Sequence, residues 1–363
     1  YGETIPAPAA DRRILVLRQA IGVGAAITPW NFPSAMITRK LGPALAVGCP
    51  LILKPAEATP LSALALAALA EEAGLPSGLF SVLTGDRDAA DGLGRALLAD
   101  SRVRKLSFTG STAVGKKLLA ASAATIKRVS LELGGNAPFI VLDDADVDAA
   151  VRGCLVAKFR NAGQTCVAAN RILVQDGIYD RFRDALAGAM AKLQVGPGLQ
   201  PGVDIGPLID QRAYEKVSGL VEDATSEGAH PSFRSDQAGT AGQGRTFYAP
   251  TLLEDVTPDM RIAQDEVFGP VAPLTRFGTD EDAIALANRT KGGLIAYVYG
   301  RNLSRLVRMY ESLEAGMVGV NTGLVSTAEA PFGGWKESGL GREGSRHGLD
   351  EWTELKSVTV ALG

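Results

Sequence analysis

Histidine is nearly missing: His230 and His347 are the only two in 363 residues. A Cys–His or Ser–His relay is therefore poorly provided for, and no Cys/His spacing matches a zinc site, so no metal is expected. Cysteine is sparse and odd in number, at three. No disulfide framework is implied, and a reducing, cytoplasmic compartment fits. There is no basic run, and 37 basic against 40 acidic residues leave a net charge of −3, so nucleic acid is not an expected partner. No apolar stretch approaches the ~18 residues needed to span a bilayer; the run at 61–70 ends in Glu71-Glu72. A membrane is not an expected partner either, and neither a signal peptide nor an internal repeat is legible.

What is present is enough apolar residue, 46%, for substantial cores, in a chain long enough for two or more domains. From residue 21 strands and helices alternate. Strands are expected at 23–28, 51–54, 79–83, 105–108 and 128–133. Helices are expected at 34–47 and 60–73, the second capped by Thr59 and ended by Gly74. A second unit opens with a strand at 137–142. It continues with helices at 147–159, 179–192 and 213–227 and strands at 271–276, 295–299 and 317–321. Such alternation predicts parallel sheets with helices on their faces, an α/β fold. Residues 232–244, rich in Ser, Gly, Gln and Thr, read as a surface loop. Residues 11–20 and 353–362 read as strands near the chain ends.

Two glycine patterns compete for a phosphate. Gly22-Val23-Gly24 begins like a dinucleotide fingerprint, but position 27 is Ile. Gly110 to Gly115-Lys116 matches a P-loop until Lys117, which stands where a Ser or Thr must bind magnesium. What survives is a strand, a glycine turn and a helix start at Ser111, whose N–H groups and dipole suit a pyrophosphate. Lys54 and Glu57 follow a buried strand, where open α/β sheets place ligands.

The chemistry centres on residues 158–171. Cys49 and Cys154 lie in apolar surroundings and read as small core residues. Cys166 sits in a Gly-Gln-Thr-Cys run just past a helix-like segment, a polar turn suited to nucleophilic attack. Taken singly, Asn31 would read as a turn former, Glu132 as a surface acid, and Arg39 and Arg160 as solvated helix residues.

The motifs around Cys166 change those readings. They are Thr28-Pro29-Trp30-Asn31-Phe32-Pro33, Leu53-Lys54-Pro55-Ala56-Glu57, Phe108-Thr109-Gly110-Ser111-Thr112 with Gly115, Leu131-Glu132-Leu133-Gly134-Gly135-Asn136, and Glu266-Val267-Phe268-Gly269-Pro270. In this order, with Cys166 between the last two, the chain resembles the aldehyde dehydrogenase superfamily over essentially its whole length. Lys158-Phe159-Arg160-Asn161, Ile37-Thr38-Arg39-Lys40 and 338–344 make the succinate-semialdehyde dehydrogenases the nearest likeness. The opening residues 1–6 look like an interior segment of that family, whose N-terminal piece is then missing.

The resemblance implies a Rossmann-like NAD-binding domain at 21–135, a second α/β catalytic domain at 136–350, and a small β arm, 1–20 with 351–363, that joins subunits into a homodimer or homotetramer. It implies Cys166 as nucleophile, the Asn31 amide with the Cys166 N–H as oxyanion donors, and Glu132 as the base for water. It places Trp30, Lys54, Glu57, Gly110, Ser111, Gly115, Glu266 and Phe268 on the dinucleotide. Arg39, Arg160 and Ser326 would hold the far carboxylate of a semialdehyde, which guanidinium can bind in bidentate fashion. A carboxylate at Glu57 accepts from a 2′-hydroxyl and repels a 2′-phosphate, so NAD is expected, with NADP possible. Ala168 stands where relatives often carry a second Cys, so a switch through that disulfide is not available. The competing readings are a glutarate-semialdehyde or other aldehyde dehydrogenase, a cysteine thioesterase or esterase using Cys166 and Glu132, and a non-catalytic structural protein.

Overall fold

A computed structural model describes residues 1–236 and 246–362. The chain forms two compact units. The first holds Tyr1–Glu132, Thr327–Gly333 and Leu340–Gly363; the second holds Leu133–Ser326 and Gly334–Gly339. Residues 327–333 and 340–350, grouped with the second domain by the sequence reading, thus lie with the first unit. There Glu343 pairs with Lys40, and the Phe332 and Glu343 backbones bond to each other.

In chain order the first unit has β1 (Glu3–Ile5), β2 (Arg12–Ala20), β3 (Val23–Ile27), α1 (Pro33–Ala46), β4 (Leu51–Lys54), α2 (Pro60–Glu72), β5 (Phe80–Val82), α3 (Arg87–Ala99), β6 (Val103–Thr109), α4 (Thr112–Ser122) and β7 (Arg128–Glu132). Five of the strands pair in parallel in the order β7-β6-β3-β4-β5. The order runs outward in both directions from β3, so a topological switch point lies at the carboxyl ends of β3 and β6. α1 buries Ile37, Leu41 and Ala44 against Ala26, Leu51 and Leu53 of the sheet. Proline opens both α1 and α2, where its missing N–H costs nothing. Thr59 occupies the N-cap of α2 as expected, although its hydroxyl makes no capping bond. α3 was not expected. Two glycines dilute its helical pattern, and Asp86 starts it by accepting from Ala89 N at 2.8 Å.

The second unit has β8 (Ala137–Val141), α5 (Val147–Phe159), β9 (Ala169–Gln175), α6 (Tyr179–Met190), α7 (Gln211–Ser226), β10 (His230–Arg234), β11 (Thr251–Glu254), α8 (Arg261–Gln264), β12 (Val271–Phe277), α9 (Asp280–Asn288), β13 (Gly292–Gly293), β14 (Ile295–Tyr299), α10 (Leu303–Ser312), β15 (Met317–Val320) and β16 (Trp335–Lys336). Its seven-stranded sheet runs β10-β11-β12-β9-β8-β14-β15, parallel but for β10. The expected loop at 232–244 is corrected in part: residues 232–234 belong to β10, paired antiparallel with β11, and residues 237–244 lie outside the described residues. β9 went unrecognised beside the cysteine motif, yet it joins β8 to β12 in mid-sheet.

The returning segments add β17 (Gly339–Leu340), α11 (Ser345–Asp350) and β18 (Thr353–Ala361). β18 pairs antiparallel with β2 over nine positions, and β1 extends this to a three-stranded sheet. Leu17, Leu355 and Val360 are exposed on these strands.

Candidate active site

Several candidates of the first unit follow the carboxyl end of a parallel strand. Trp30 and Asn31 follow β3, Lys54 ends β4, Gly110 and Ser111 follow β6, and Glu132 ends β7. The alternating sheet delivers all of them to one edge. At Gly110 an added Cβ would lie 2.4 Å from Cζ of Phe108, and its N–H donates to the Glu132 carbonyl at 3.0 Å. Only glycine allows that approach. Ser111 caps α4, its hydroxyl accepting from Val114 N at 3.4 Å, and Gly115 N donates to Ser111 O at 2.9 Å. The first turn of this helix carries no acidic side chain. Its donors and dipole therefore fit a pyrophosphate. Lys54, nearly buried, lies 3.5 Å from the Glu57 carboxylate, whose side chain is 44% exposed.

Glu132 is 3% exposed. Burial pushes its carboxyl well above the usual carboxylate range, and the neighbouring Glu343 adds to the rise; Lys40, Arg342 and Arg39 oppose it. The buried ammonium of Lys40, on α1, pairs with Glu343 Oε1. Gly333 lies against this group, its virtual Cβ 2.9 Å from Glu132 Oε1. Lys40 and Glu343 are functional candidates the sequence reading left without a role. Both sat in quoted motifs, but they are 303 residues apart, and nothing linear pairs them. Arg39 sits beside Lys40 on the same helix, with its guanidinium carbon 4.2 Å above the Phe332 ring.

In the second unit α5 ends at Phe159 and a tight turn covers Arg160–Gly163. Asn161, Ala162 and Gly163 are all left-handed, with φ of 54°, 55° and 74°. For Asn and Ala this costs roughly 1–2 kcal/mol each, which the surrounding packing offsets. An added Cβ at Gly163 would meet the Gly269 carbonyl at 2.3 Å, so the turn rests on the segment that carries Glu266 and Phe268.

Cys166 follows in the loop before β9 and is the one thiol of the three with solvent exposure. Cys154 is fully enclosed, and burial raises its thiol to about 12. The Cys166 loop is fastened on each side. The Tyr297 hydroxyl donates to Val167 O at 2.8 Å. Gln164 accepts from Ile209 N at 2.9 Å. Gly135 lies so close that a Cβ would come within 2.6 Å of Cys166 O. Tyr297 was missed by sequence reasoning. Arg160, which is exposed, and Cys166 both act electrostatically on its hydroxyl. Ser326 ends a loop seated on α5, where an added Cβ at Gly323 would meet Gly153 O at 2.1 Å.

Glu266 is presented by a second clamp that the sequence reading also missed. Asn170 accepts from Val267 N at 2.9 Å and donates to Asp265 O at 3.0 Å and Asn136 Oδ1 at 2.7 Å. Asn136 in turn donates to Ala263 O and Gln264 O. Glu266 Oε1 accepts from Gly135 N at 3.2 Å. Part of the residue reaches solvent, yet its carboxyl is enclosed. Burial pushes it up to about 7, against the pull of the Gly135 N–H, Lys216 and Lys158. Phe268 follows with a strained φ of 56°.

With this geometry in view, the sequence profile of the aldehyde dehydrogenase family matches residues 1–358. A mitochondrial succinate-semialdehyde dehydrogenase of Arabidopsis thaliana is 57% identical over 360 residues, 99% of this chain and 67% of that protein. A glutarate-semialdehyde dehydrogenase of Pseudomonas aeruginosa is 56% identical over 360 residues, 99% of this chain and 73% of that protein. The crystal structure of an NADP-dependent enzyme of Escherichia coli superposes with a TM-score of 0.97 at 56% identity, covering 100% of this chain and 74% of that one.

Proposed function

Because this chain belongs to the aldehyde dehydrogenase family, we propose that it oxidises succinate semialdehyde to succinate. The observation that carries the substrate is the turn at Arg160–Gly163, which holds the exposed Arg160 shortly before the half-buried Cys166, both within electrostatic reach of the Tyr297 hydroxyl. The Cys166 thiolate attacks the aldehyde carbon. The Asn31 amide and the Cys166 N–H stabilise the resulting oxyanion. A dinucleotide, NAD or NADP, when bound supplies the hydride acceptor that turns the adduct into a thioester. Residues suited to hold it are Trp30, Lys54, Glu57, Gly110, Ser111, Gly115, Glu266 and Phe268. Glu132 then takes a proton from the water that hydrolyses the thioester. Arg39 and Arg160 bind the distal carboxylate, with Ser326 adding a hydroxyl. The domain roles follow: the first unit supplies most of the dinucleotide-binding residues and the second carries the nucleophile. The exposed Leu17, Leu355 and Val360 support a homo-oligomeric enzyme, and three thiols without a disulfide support a cytoplasmic one.

Glutarate semialdehyde is the second reading, since the same guanidinium pair would hold a carboxylate one methylene further away. Arg160→Ala tests the shared premise. A charge-assisted contact is worth roughly 1.5–3 kcal/mol, so KM for succinate semialdehyde should rise about ten- to hundredfold. Butyraldehyde, of equal length without the carboxylate, should change little. Equal damage to both substrates would make Arg160 structural and remove the assignment.

For the cofactor we favour NAD over NADP. Glu57 keeps a half-exposed carboxylate, and the nearby Lys54 ammonium is already paired with it. Glu57→Ser should raise kcat/KM with NADP relative to NAD by roughly tenfold, about the 1.4 kcal/mol expected of one removed like-charge contact. Equal use of both cofactors by the parent chain would contradict the argument.

A further inference from the structure

One face of the first unit's sheet changes character halfway across. On β3 and β4 it presents Gly24, Ala26, Leu51 and Leu53, covered by α1 and Trp352. On β6 and β7 the same face presents Lys105, Ser107 and Thr109 beside Arg128, Ser130 and Glu132, by the register that pairs Lys105 with Arg128 and Thr109 with Glu132. All but Arg128 are buried. A parallel sheet covered on both faces is normally apolar on both, and burying polar groups is costly.

This strip has an inner end and an outer end. At the inner end Thr109 Oγ1, Glu132 Oε2 and Glu343 Oε2 are buried and make no protein hydrogen bond. They are natural attachment points for ordered water. At the outer end the Lys105 ammonium donates to Ser130 Oγ at 2.5 Å, Ser130 Oγ donates to Glu351 Oε2 at 2.7 Å, and Lys105 lies 3.5 Å from Glu351. The Lys105 side chain is 1% exposed and that of Glu351 28%, so this end opens to solvent. The segment spanning both ends is continuous: Gly341, two residues before Glu343, lies against Glu351, its virtual Cβ 2.7 Å from Oε1.

We propose that this strip is the exit path for the proton Glu132 removes from water, with Lys105 as its carrier and Glu351 as its mouth. The inference rests on the reading of Glu132 as the base. In hydrolysis the water O–H bond breaks, its proton goes to Glu132, the new C–O bond forms and the C–S bond breaks with the thiolate leaving. Glu132 is then protonated and must be emptied before the next turnover. Neutral Lys105 takes that proton through water on the strip, and its ammonium passes it to Glu351 and bulk solvent. Lys105 can both accept and release a proton near neutral pH, because burial lowers its ammonium to about 8; Lys40 and Arg128 push the same way, and Glu351 opposes them. The face of the Trp352 ring lies 5.2 Å from its nitrogen.

The test uses p-nitrophenyl acetate, which acylates the thiol without any dinucleotide. Burst and steady-state p-nitrophenol release are measured from pH 6 to 9. Lys105→Met, Lys105→Arg and Glu351→Gln should each leave the burst rate unchanged, slow steady-state hydrolysis about tenfold, and recover when imidazole is added as an external proton acceptor. Lys105→Arg discriminates, since guanidinium keeps the positive charge but does not release its proton. Full hydrolysis in Lys105→Arg would mean that only the charge matters and would overturn the proposal. So would an unimpaired Glu351→Gln, which replaces a partly exposed side chain and spares the fold. Loss of burst and hydrolysis together, without rescue by imidazole, would make the strip structural and overturn it too. Glu132→Gln run alongside separates the premise: if it hydrolyses normally, the base assignment itself has failed.

Discussion

Cys166→Ala should lose NADH formation from succinate semialdehyde by roughly four orders of magnitude or more, the scale on which removing a covalent nucleophile acts. Cys49 and Cys154 are completely buried and cannot substitute. The change removes one sulfur from a loop whose fastenings run through Gln164, Tyr297 and Gly135. The fold and cofactor affinity should therefore survive, which nucleotide-binding fluorescence and thermal melting check independently of turnover. The burst with p-nitrophenyl acetate should vanish as well. Substantial turnover by a folded Cys166→Ala protein would end the covalent mechanism and leave the motif unexplained.

Glu132→Gln should keep acylation and lose hydrolysis. A positioned base contributes about 10²- to 10⁴-fold. Rapid mixing should show NADH formed in a burst of one equivalent per site, followed by a steady state slower by that factor. The pH dependence has a definite sign. Hydrolysis needs the carboxylate, and burial together with Glu343 holds Glu132 well above the ordinary range. The parent's hydrolytic rate should therefore rise with pH through a midpoint above that of a free glutamate, and this limb should disappear in Glu132→Gln. Glu343→Gln removes the like charge, so the parent's limb should move to lower pH. An unmoved limb would mean that Glu343 is not what raises Glu132. Equal slowing of burst and steady state in Glu132→Gln would instead place Glu132 before the thioester.

The sequence by itself determined the elements and the chemical groups. Proline at 33 and 60 and runs such as 51–54, 147–159 and 295–299 fixed helices and strands close to where they lie, because propensity and periodicity act over a few residues. The Gly-Gln-Thr-Cys and Leu-Glu-Leu-Gly-Gly runs named the thiol and the carboxylate, because motifs keep residue types at short spacing. α3, β9 and the strand at 230–234 escaped, since their local signals were diluted by glycine or by the polar residues beside them. Only the tertiary structure decided which groups meet. Lys40 with Glu343, Lys105 with Glu351 and Asn136 with Asn170 are partners across 303, 246 and 34 residues. It also decided their protonation: Glu132 and Lys105 leave their ordinary ranges because the folded chain takes them from water and sets particular charges beside them. Desolvation and charge proximity depend on three-dimensional distance, which a linear pattern does not encode.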